Sequence, residues 1–401
     1  MSNLMNSNIA CQRPMEVSVV IPCLDEERTL AECINAARFA FEKSGLYGEI
    51  IVADNGSVDR SREIAEQLGA RVVCVAARGY GNALRGGIEA AHGTYVVFGD
   101  ADGSYDFNEV PRFVEKLSDG NALVMGNRFT GKIHDGAMPW LHRYLGNPVL
   151  STLGRLFFRT NVGDFQCGLR GLTKQSYDLL DLQTTGMEFA SEMVIKSALL
   201  GLPIGEIPVE LRPDGRDRPP HLKTWRDGWR HLRFMMLMCP RWLFWWPGMV
   251  LFLASMSSAI ILTLGETYVG PVRFGIHTLL VSGTGMIIGV QLVTFAIYTE
   301  RLAALLGLRG SCSMQTQSEP RFSLELGLVI GLAMVVIGVG LLAWKTTEWG
   351  LSGFGPLVPE VSMRTVIPAV VCMTHGFQIL FGSFFLSFLT LAKSQLDRHF
   401  K

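Results

Sequence analysis

The chain has 401 residues, which is long enough for two domains, and its formal charge is balanced, with 36 Lys and Arg against 36 Asp and Glu. This balance excludes a strongly basic protein, and no nucleic-acid partner is expected. The 8 cysteines contain no CxxC pair, so neither a zinc site nor a redox motif is indicated.

Residues 1–16 are predicted to be a tail, and they lack the apolar core of a signal peptide, so we expect the domain that follows not to be exported. From residue 17, short β-branched runs alternate with segments whose apolar residues recur at helical spacing. This alternation is typical of an α/β fold with a parallel sheet. Strands are predicted at 17–21, 50–52, 72–75, 94–98 and 123–125, and helices at 26–43, 61–68 and 80–91.

Three polar clusters come directly after predicted strands. They lie at 25–27, 54–57 and 100–102. In open parallel sheets, ligands bind beyond the carboxyl ends of the strands. We therefore expect the three clusters to share one ligand-binding edge.

The third cluster lies within the stretch GDADGSYDF, which holds the carboxylates Asp100, Asp102 and Asp106. Asp100 and Asp102 are two residues apart, so on extended backbone they share a face and repel each other. Mg²⁺ or Mn²⁺ would remove this conflict, since both take oxygen ligands and Mg²⁺ often joins one or two carboxylates to substrate phosphates. A solvated acidic turn is the alternative, but the preceding strand and the matching strand ends favour a metal site. Asp106 is expected to serve only as a turn or helix cap.

Two further segments indicate a binding site for a donor diphosphate. Asp54 follows the second strand in DNGSVDRS, where an Asx turn is the alternative to a ligand role. ARGYGNALRGG combines Arg78 with glycines such as Gly81 just before a predicted helix. A basic, glycine-rich turn at a helix N-terminus suits phosphate, although the glycines can also serve turn geometry alone.

The later part of the domain is rich in arginine, whose fork of donors suits phosphate oxygens. For each arginine taken singly, a surface ion pair is the alternative. Several of them together, in a domain that leads into membrane, suggest an anionic lipid headgroup. These arginines are Arg128, Arg170, Arg212, Arg216 and Arg218.

Residues 224–240 are predicted to form an amphipathic helix that lies in the membrane interface. Trp225, Trp229, Leu232 and Met236 recur at helical spacing, beside a stripe of arginines. Residues 140–159 have a similar composition, and for both stretches a core helix is the alternative.

Residues 241–401 are predicted to form a membrane domain. Four stretches free of Asp, Glu, Lys and Arg, at about 242–265, 274–299, 326–344 and 366–392, are each long enough to cross a bilayer as a helix. Basic residues are more frequent on the side of the termini, which predicts a multi-pass protein of the cell (inner) membrane with both termini and the soluble domain in the cytoplasm. The basic residues on the cytoplasmic side are Arg230, Arg233, Arg241, Arg301, Arg309, Arg321, Lys393, Arg398 and Lys401, against Arg273, Lys345 and Arg364 on the other.

Four motifs, in their order and spacing, resemble those of family 2 glycosyltransferases of GT-A fold. They are VSVVIPCLDEERTL, VADNGSVDRS, RGYGNALRGG and GDADGSYDF. Three later motifs, followed by predicted membrane spans, are similar to those of the polyprenyl-phosphate (dolichol-phosphate) mannose and glucose synthases. These motifs are GNRF, GDFQCGLRG and GMEFASEM. The resemblance covers about residues 17–240, and it implies a GT-A domain at 17–223. It also implies transfer of a hexose from a nucleotide sugar of the UDP-glucose or GDP-mannose type to polyprenyl phosphate, with inversion and with Mg²⁺ or Mn²⁺.

The resemblance assigns roles to individual residues. Asp102 would be the main metal ligand, with Asp100 beside it, and Asp164 would sit near the reacting centre. The expected donor-binding residues are Pro22, Glu26, Asp54, Arg78, Gly81 and Asp100. The expected acceptor-phosphate residues are Arg128, Arg170, Arg218 and Lys223.

Three other functions remain open. A processive polysaccharide synthase would carry Gln-x-x-Arg-Trp, but MCPRWLFW has no such Gln. A transferase for another lipid acceptor would share most of these motifs. A lipid-sugar flippase or transporter with a cytoplasmic regulatory domain would favour ionisable groups in the spans, where only His277 and His375 occur. We expect the spans to anchor the enzyme or to assist a homo-oligomer.

Overall fold

The computed structural model describes residues 14–216, 224–305 and 324–399, so the predicted phosphate ligands Arg218 and Lys223 lie outside the described residues. The chain divides into two compact units, Met1–Met238 and Cys239–Lys401. The helix predicted from residue 224 therefore belongs, as far as Met238, to the first unit.

The first unit is built on a seven-stranded sheet. In chain order the strands are β1 (Val17–Cys23), β2 (Gly48–Asp54), β3 (Arg71–Cys74), β4 (Tyr95–Phe98), β5 (Leu123–Ile133), β6 (Arg170–Thr173) and β7 (Ile204–Leu211). They lie in the order β3-β2-β1-β4-β6-β5-β7. All five predicted strands are present, and β1 pairs in parallel with both β2 and β4. The carboxyl ends of these three central strands therefore meet at one edge, as predicted.

Strand β6, which is not among the predicted strands, makes the sheet mixed rather than wholly parallel. This strand runs antiparallel to both β4 and β5, and its first residue, Arg170, pairs with Phe98 at the end of β4. A strand that starts where its neighbour ends must be entered from that same edge. The loop before β6, which carries Asp164, is thereby brought to the carboxyl edge beside Asp100.

Eight α-helices of the described chain belong to this unit. Helix α1 begins at Leu30, later than predicted, and buries Leu30, Ile34 and Phe41 on one face against the sheet. It ends at Gly45, whose positive φ of 70° is easily reached only by glycine. The helices are α1 (Leu30–Ser44), α2 (Ser61–Gln67), α3 (Tyr80–Ala90), α4 (Val110–Ser118), α5 (Asn147–Phe158), α6 (Lys174–Leu180), α7 (Phe189–Leu199) and α8 (Thr224–Met238).

The second unit contains four long helices and a short hairpin of β8 (Thr267–Val269) and β9 (Val272–Phe274). The helices are α9 (Trp246–Leu264), α10 (Ile276–Leu305), α11 (Leu324–Leu351) and α12 (Pro359–His399). Four segments are long and apolar enough to cross a membrane, and they match the four predicted spans. These segments are Arg241–Leu264, Ile276–Ala303, Leu324–Leu351 and Pro359–Ala392.

Glycines allow the membrane helices to approach closely. A Cβ on Gly331 of α11 would lie 2.8 Å from the carbonyl oxygen of Gly376 in α12, and one on Gly248 of α9 would lie 2.9 Å from that of Gly289 in α10. Without a hydrophobic driving force between helices in lipid, such close packing is what holds membrane helices together.

Candidate active site

The loop after β4 carries the predicted metal ligands. Asp100 accepts a hydrogen bond of 3.0 Å from the Tyr80 hydroxyl, and Asp102, which is 8% exposed, accepts one of 3.0 Å from the Ser104 N–H. Burial, and next the negative charge of Asp102, raise the pKa of Asp100 to about 6. The two carboxylates are thus held close together in a partly desolvated site, where a cation is favoured.

Arg216 supplies a positive charge at this point. Its Nη2 lies 2.8 Å from Oε1 of Glu26 and 3.4 Å from Oδ2 of Asp102. Burial opposes the charged form, but the Asp102 and Glu26 carboxylates hold the pKa of Arg216 above its ordinary value. Glu26, which follows β1, and Asp102, which follows β4, are therefore brought together as predicted.

Asp54, at the end of β2, is almost fully buried and has several partners. Its carboxylate accepts hydrogen bonds from the N–H groups of Gly56 and Ser57 and one of 2.7 Å from Nε of Arg62. The Asx turn considered from the sequence is present. Asp54 pairs in register with Cys23 at the end of β1. The turn that its carboxylate stabilises therefore lies at the same sheet edge as Pro22 and Glu26.

The glycine-rich segment packs against another loop of the same unit. The Gly81 N–H donates to the Thr185 carbonyl at 3.1 Å, and a Cβ on Gly81 would lie 2.6 Å from the Thr184 carbonyl oxygen. Gly79 has a φ of 132° and donates its N–H to Asn55 at 2.7 Å. The glycines thus allow the close backbone contacts of this segment, and the Arg78 side chain is exposed to solvent.

Arg128 and Asp164 form a buried ion pair. Arg128 Nε donates to Asp164 Oδ2 at 2.7 Å, and Nη2 donates to Oδ1 at 2.8 Å. Asp164 is 0% exposed, and its backbone N–H donates to Glu206, as does that of Gly163. The structure brings two predicted site residues together, each as the other's partner.

Arg170 lies inside the domain, at 0% exposure. Its three side-chain nitrogens donate to the carbonyl oxygens of Cys167, Ala190 and Phe165. Burial lowers its pKa. In this structure Arg170 holds the loop before β6, which differs from the phosphate contact that the resemblance implies.

Helix α8 packs against the rest of its unit with one side. Asp227, His231 and Met235 are buried, and His231 Nδ1 lies 2.8 Å from the Ser191 hydroxyl of α7. Burial lowers the pKa of His231 to about 4. Trp225 and Trp229 point outward at 79% and 55% exposure. The helix therefore presents an aromatic face away from its own unit, which is typical of interfacial helices.

Sequence reasoning did not single out Arg216 among the arginines, nor Tyr80 and Glu206. Arg216 is 190 residues from Glu26, and no local pattern distinguishes it from Arg212 or Arg218. The capping role predicted for Asp106 is confirmed, because its carboxylate accepts the Asn108 N–H at the start of a 3₁₀ turn.

Two family models match the chain. Residues 18–180 match the model described as glycosyl transferase family 2, and residues 297–390 match the family 2 C-terminal transmembrane region. A GT-A sheet with paired carboxylates at its carboxyl edge, joined to a unit of membrane-crossing helices, defines a membrane glycosyltransferase.

Relatives place the chain within one family. It is 37% identical over 378 residues to the low-salt glycan biosynthesis hexosyltransferase Agl6 of Haloferax volcanii, covering 93% of this chain and 89% of the relative. Over 163 residues it is 32% identical to a dolichyl-phosphate hexose transferase of the same organism, covering 40% of this chain and 69% of that one. A solved glucosyl-3-phosphoglycerate synthase from Mycobacterium tuberculosis, in complex with Mn²⁺, UDP and glucosyl-3-phosphoglycerate, is similar with 24% identity and a TM-score of 0.44 over 56% of this chain and 80% of that one. The chain belongs to glycosyltransferase family 2.

Proposed function

We propose that the protein transfers a hexose from a nucleotide sugar to polyprenyl phosphate, of dolichyl or undecaprenyl type, and that the reaction requires Mg²⁺ or Mn²⁺. The observation that carries the proposal is the pair of half-buried Asp100 and buried Asp102 after β4, beside a positively charged Arg216. The relatives described above, a hexosyltransferase and a dolichyl-phosphate hexose transferase, support this class of donor and acceptor.

The residues present fit a divalent cation. Asp102 Oδ2 already faces the guanidinium of Arg216, and Asp100 lies in a desolvated position that favours a nearby positive charge. Within the described ranges, no three His, Cys, Asp or Glu side chains form a closed metal cage. An open site of one or two carboxylates is what Mg²⁺ uses when phosphates complete its coordination. Held by Asp102 and Asp100, the ion would supply Lewis-acid stabilisation of the leaving nucleoside diphosphate.

The donor's nucleoside is proposed to lie along the ends of β1 and β2. Pro22, Glu26 and Asp54 line this part of the edge, and Asp54 is kept in place by two backbone N–H groups and by Arg62. Gly81 and the exposed Arg78 lie in the segment that follows β3 and are proposed to bound the same pocket.

The acceptor side is proposed to centre on Arg128 and Asp164. A phosphate monoester oxygen is already anionic at neutral pH, so the reaction needs little help from a general base. Asp164 therefore positions Arg128, whose charge offsets repulsion between the two phosphate-bearing substrates. Arg218 and Lys223 are proposed as further phosphate ligands, and Arg170 as a support for the Asp164 loop. A single in-line displacement would invert the anomeric carbon.

The lipid acceptor requires that the site face a membrane surface. We propose that α8 lies in the headgroup plane, with Trp225 and Trp229 toward the lipid, and that the first unit and both termini are cytoplasmic. The helix leads within three residues to the first membrane-crossing segment, which begins at Arg241.

The test uses purified full-length protein in nanodiscs, with Mn²⁺ or Mg²⁺, polyprenyl phosphate and a panel of UDP- and GDP-sugars. We expect transfer from one donor, and a loss of about 1000-fold or more in Asp102→Asn, comparable to removing a major electrostatic contribution to the transition state. Asp106→Asn, four residues away, is the matched control and should keep most of the activity. Full activity of Asp102→Asn would refute the proposal.

The lipid product distinguishes the acceptors. A sugar linked to polyprenyl phosphate is released by mild acid, whereas a glycosylated diacylglycerol or ceramide is not. An acid-stable product formed by the wild-type protein would assign it to another lipid acceptor.

A further inference from the structure

Arg216 holds two carboxylates that come from different strand ends. Its Nε donates to Oε2 of Glu26 at 3.1 Å, its Nη2 lies 2.8 Å from Oε1 of the same residue, and Nη2 also lies 3.4 Å from Oδ2 of Asp102. The bond to Glu26 is bidentate and short, while the contact with Asp102 is single and longer. Glu26 is thus the anchor of the guanidinium, and Asp102 is the partner that it can more easily release.

The backbone around Arg216 is fixed independently of its side chain. Residues 212–216, here called the strap, follow β7 and cross the Asp102 loop. The Gly215 N–H donates to the Asp102 carbonyl oxygen at 2.9 Å, and the Arg212 N–H donates to that of Ser104 at 2.9 Å. A Cβ on Gly215 would lie 2.7 Å from Thr29, so the strap passes too close there for a larger residue. Changing the Arg216 side chain therefore leaves the strap attached to the loop.

The two oxygens of Asp102 are not equivalent. Oδ1 accepts the Ser104 N–H at 3.0 Å, and Oδ2 faces Arg216. A divalent cation that binds Asp102 would take Oδ2, and it would then lie within a few ångströms of the guanidinium. Like charges at this separation in a partly buried site repel strongly.

We propose that Arg216 and the divalent cation exchange at Asp102: the guanidinium leaves Asp102 as the cation binds, stays anchored on Glu26, and turns its free donors to the donor's diphosphate. This inference rests on the proposed metal-dependent function. A planar guanidinium with released N–H groups suits phosphate oxygens, so the nucleotide stabilises the arrangement that the cation requires. Cation and nucleoside diphosphate then bind cooperatively, and each strengthens the other by the same factor.

The first test measures Mn²⁺ binding to the full-length protein in nanodiscs, from the electron paramagnetic resonance signal of free Mn²⁺, with and without UDP or GDP. In Arg216→Gln the competing charge is absent, so we expect Mn²⁺ alone to bind about tenfold more tightly than in the wild-type protein. The factor by which the nucleotide strengthens Mn²⁺ binding should shrink by a similar amount. Arg216→Lys keeps the charge and should remain close to the wild-type protein.

Arg212→Gln is the matched control, because Arg212 lies in the same strap but pairs with Asp106, at 2.9 Å. It should not change Mn²⁺ affinity. Equal Mn²⁺ affinity in Arg216→Gln and wild type would overturn the exchange while leaving metal dependence intact. No Mn²⁺ binding in any variant, with or without nucleotide, would overturn both.

A second measurement needs no variant. Phenylglyoxal modifies accessible guanidinium groups, and mass spectrometry of the strap peptide reports the modification of Arg216. We expect Mn²⁺ without nucleotide to accelerate this modification, and Mn²⁺ with the bound nucleotide to slow it again. A rate that does not respond to Mn²⁺ would contradict the release of Arg216 from Asp102.

Discussion

The two units of this protein bury polar groups in different ways. In the first unit, charges are buried in pairs, as in Arg128 with Asp164 and Lys196 with Glu192. In the described part of the second unit, half-buried contacts between helices include neutral ones, such as the 3.0 Å hydrogen bond from Gln378 to Gln291. The first unit can bury these charges because each finds an opposite charge or, as Arg170 does, several carbonyl oxygens. In lipid an unmatched charge is costlier, so close packing and amide hydrogen bonds are expected along the apolar middle of the helices.

The largest expected effect is on the buried pair of the first unit. Asp164→Ala leaves Arg128 buried without its counter-charge, and we expect a loss of about 3–5 kcal/mol in stability. Thermal unfolding in detergent should show a midpoint lowered by about 10 °C. Replacing both residues by leucine should restore much of the loss. The exposed pair of Arg60 and Glu63 gives the control, since Arg60→Ala should leave the midpoint almost unchanged.

A pH dependence follows from His231. Its folded pKa is about 4, lower than the ordinary value of about 6.5, because the neutral ring is buried beside Ser191. The unfolded chain therefore binds a proton more readily, so stability is complete above pH 6.5 and is lost as the pH falls toward 4. The loss approaches about 3 kcal/mol for this one residue. Thermal midpoints measured from pH 7.5 to 4.5 should fall less in His231→Gln than in the wild-type protein; parallel curves would contradict this role.

The second unit should be most sensitive where helices touch. Gly331→Ala places a Cβ 2.7 Å from Leu380 and 2.8 Å from the Gly376 carbonyl oxygen, so we expect overpacking to cost about 1–3 kcal/mol. Gly340→Ala, on the same helix, meets nothing within 4 Å and should be neutral or slightly stabilising. The thermal midpoints of the two variants in detergent show whether a glycine-to-alanine change is governed by helix contact or by helix propensity. Contact predicts a lower midpoint for Gly331→Ala, and helix propensity predicts the same small change in both variants.

The smallest effect is expected at Asp106. Asparagine caps a helical turn about as well as aspartate, so Asp106→Asn should lose only the exposed ion pair with Arg212 and cost less than about 1 kcal/mol. Asp106→Ala removes the cap as well and should cost about 1 kcal/mol more. If both variants were equally stable, the cap would contribute nothing.

Several parts of this protein follow from the sequence by itself. Local patterns were enough to predict five strands, the first three helices and the four apolar spans. They were also enough to single out the Asp100 and Asp102 pair and the Asp106 cap. Periodicity, β-branched runs and turn residues act over a few positions, so they can be recognised in one stretch of chain.

Only the tertiary structure decided which charges meet. The antiparallel entry of β6 brings Asp164 to the carboxyl edge of the central strands and buries Arg170 among carbonyl oxygens. The return of the chain after β7 places Arg216 on Glu26 and Asp102. These partners lie far apart in sequence, and an arginine in a polar segment has the same local signature whether it becomes exposed, paired or fully buried. Its role is set by the neighbours that the sheet topology gives it.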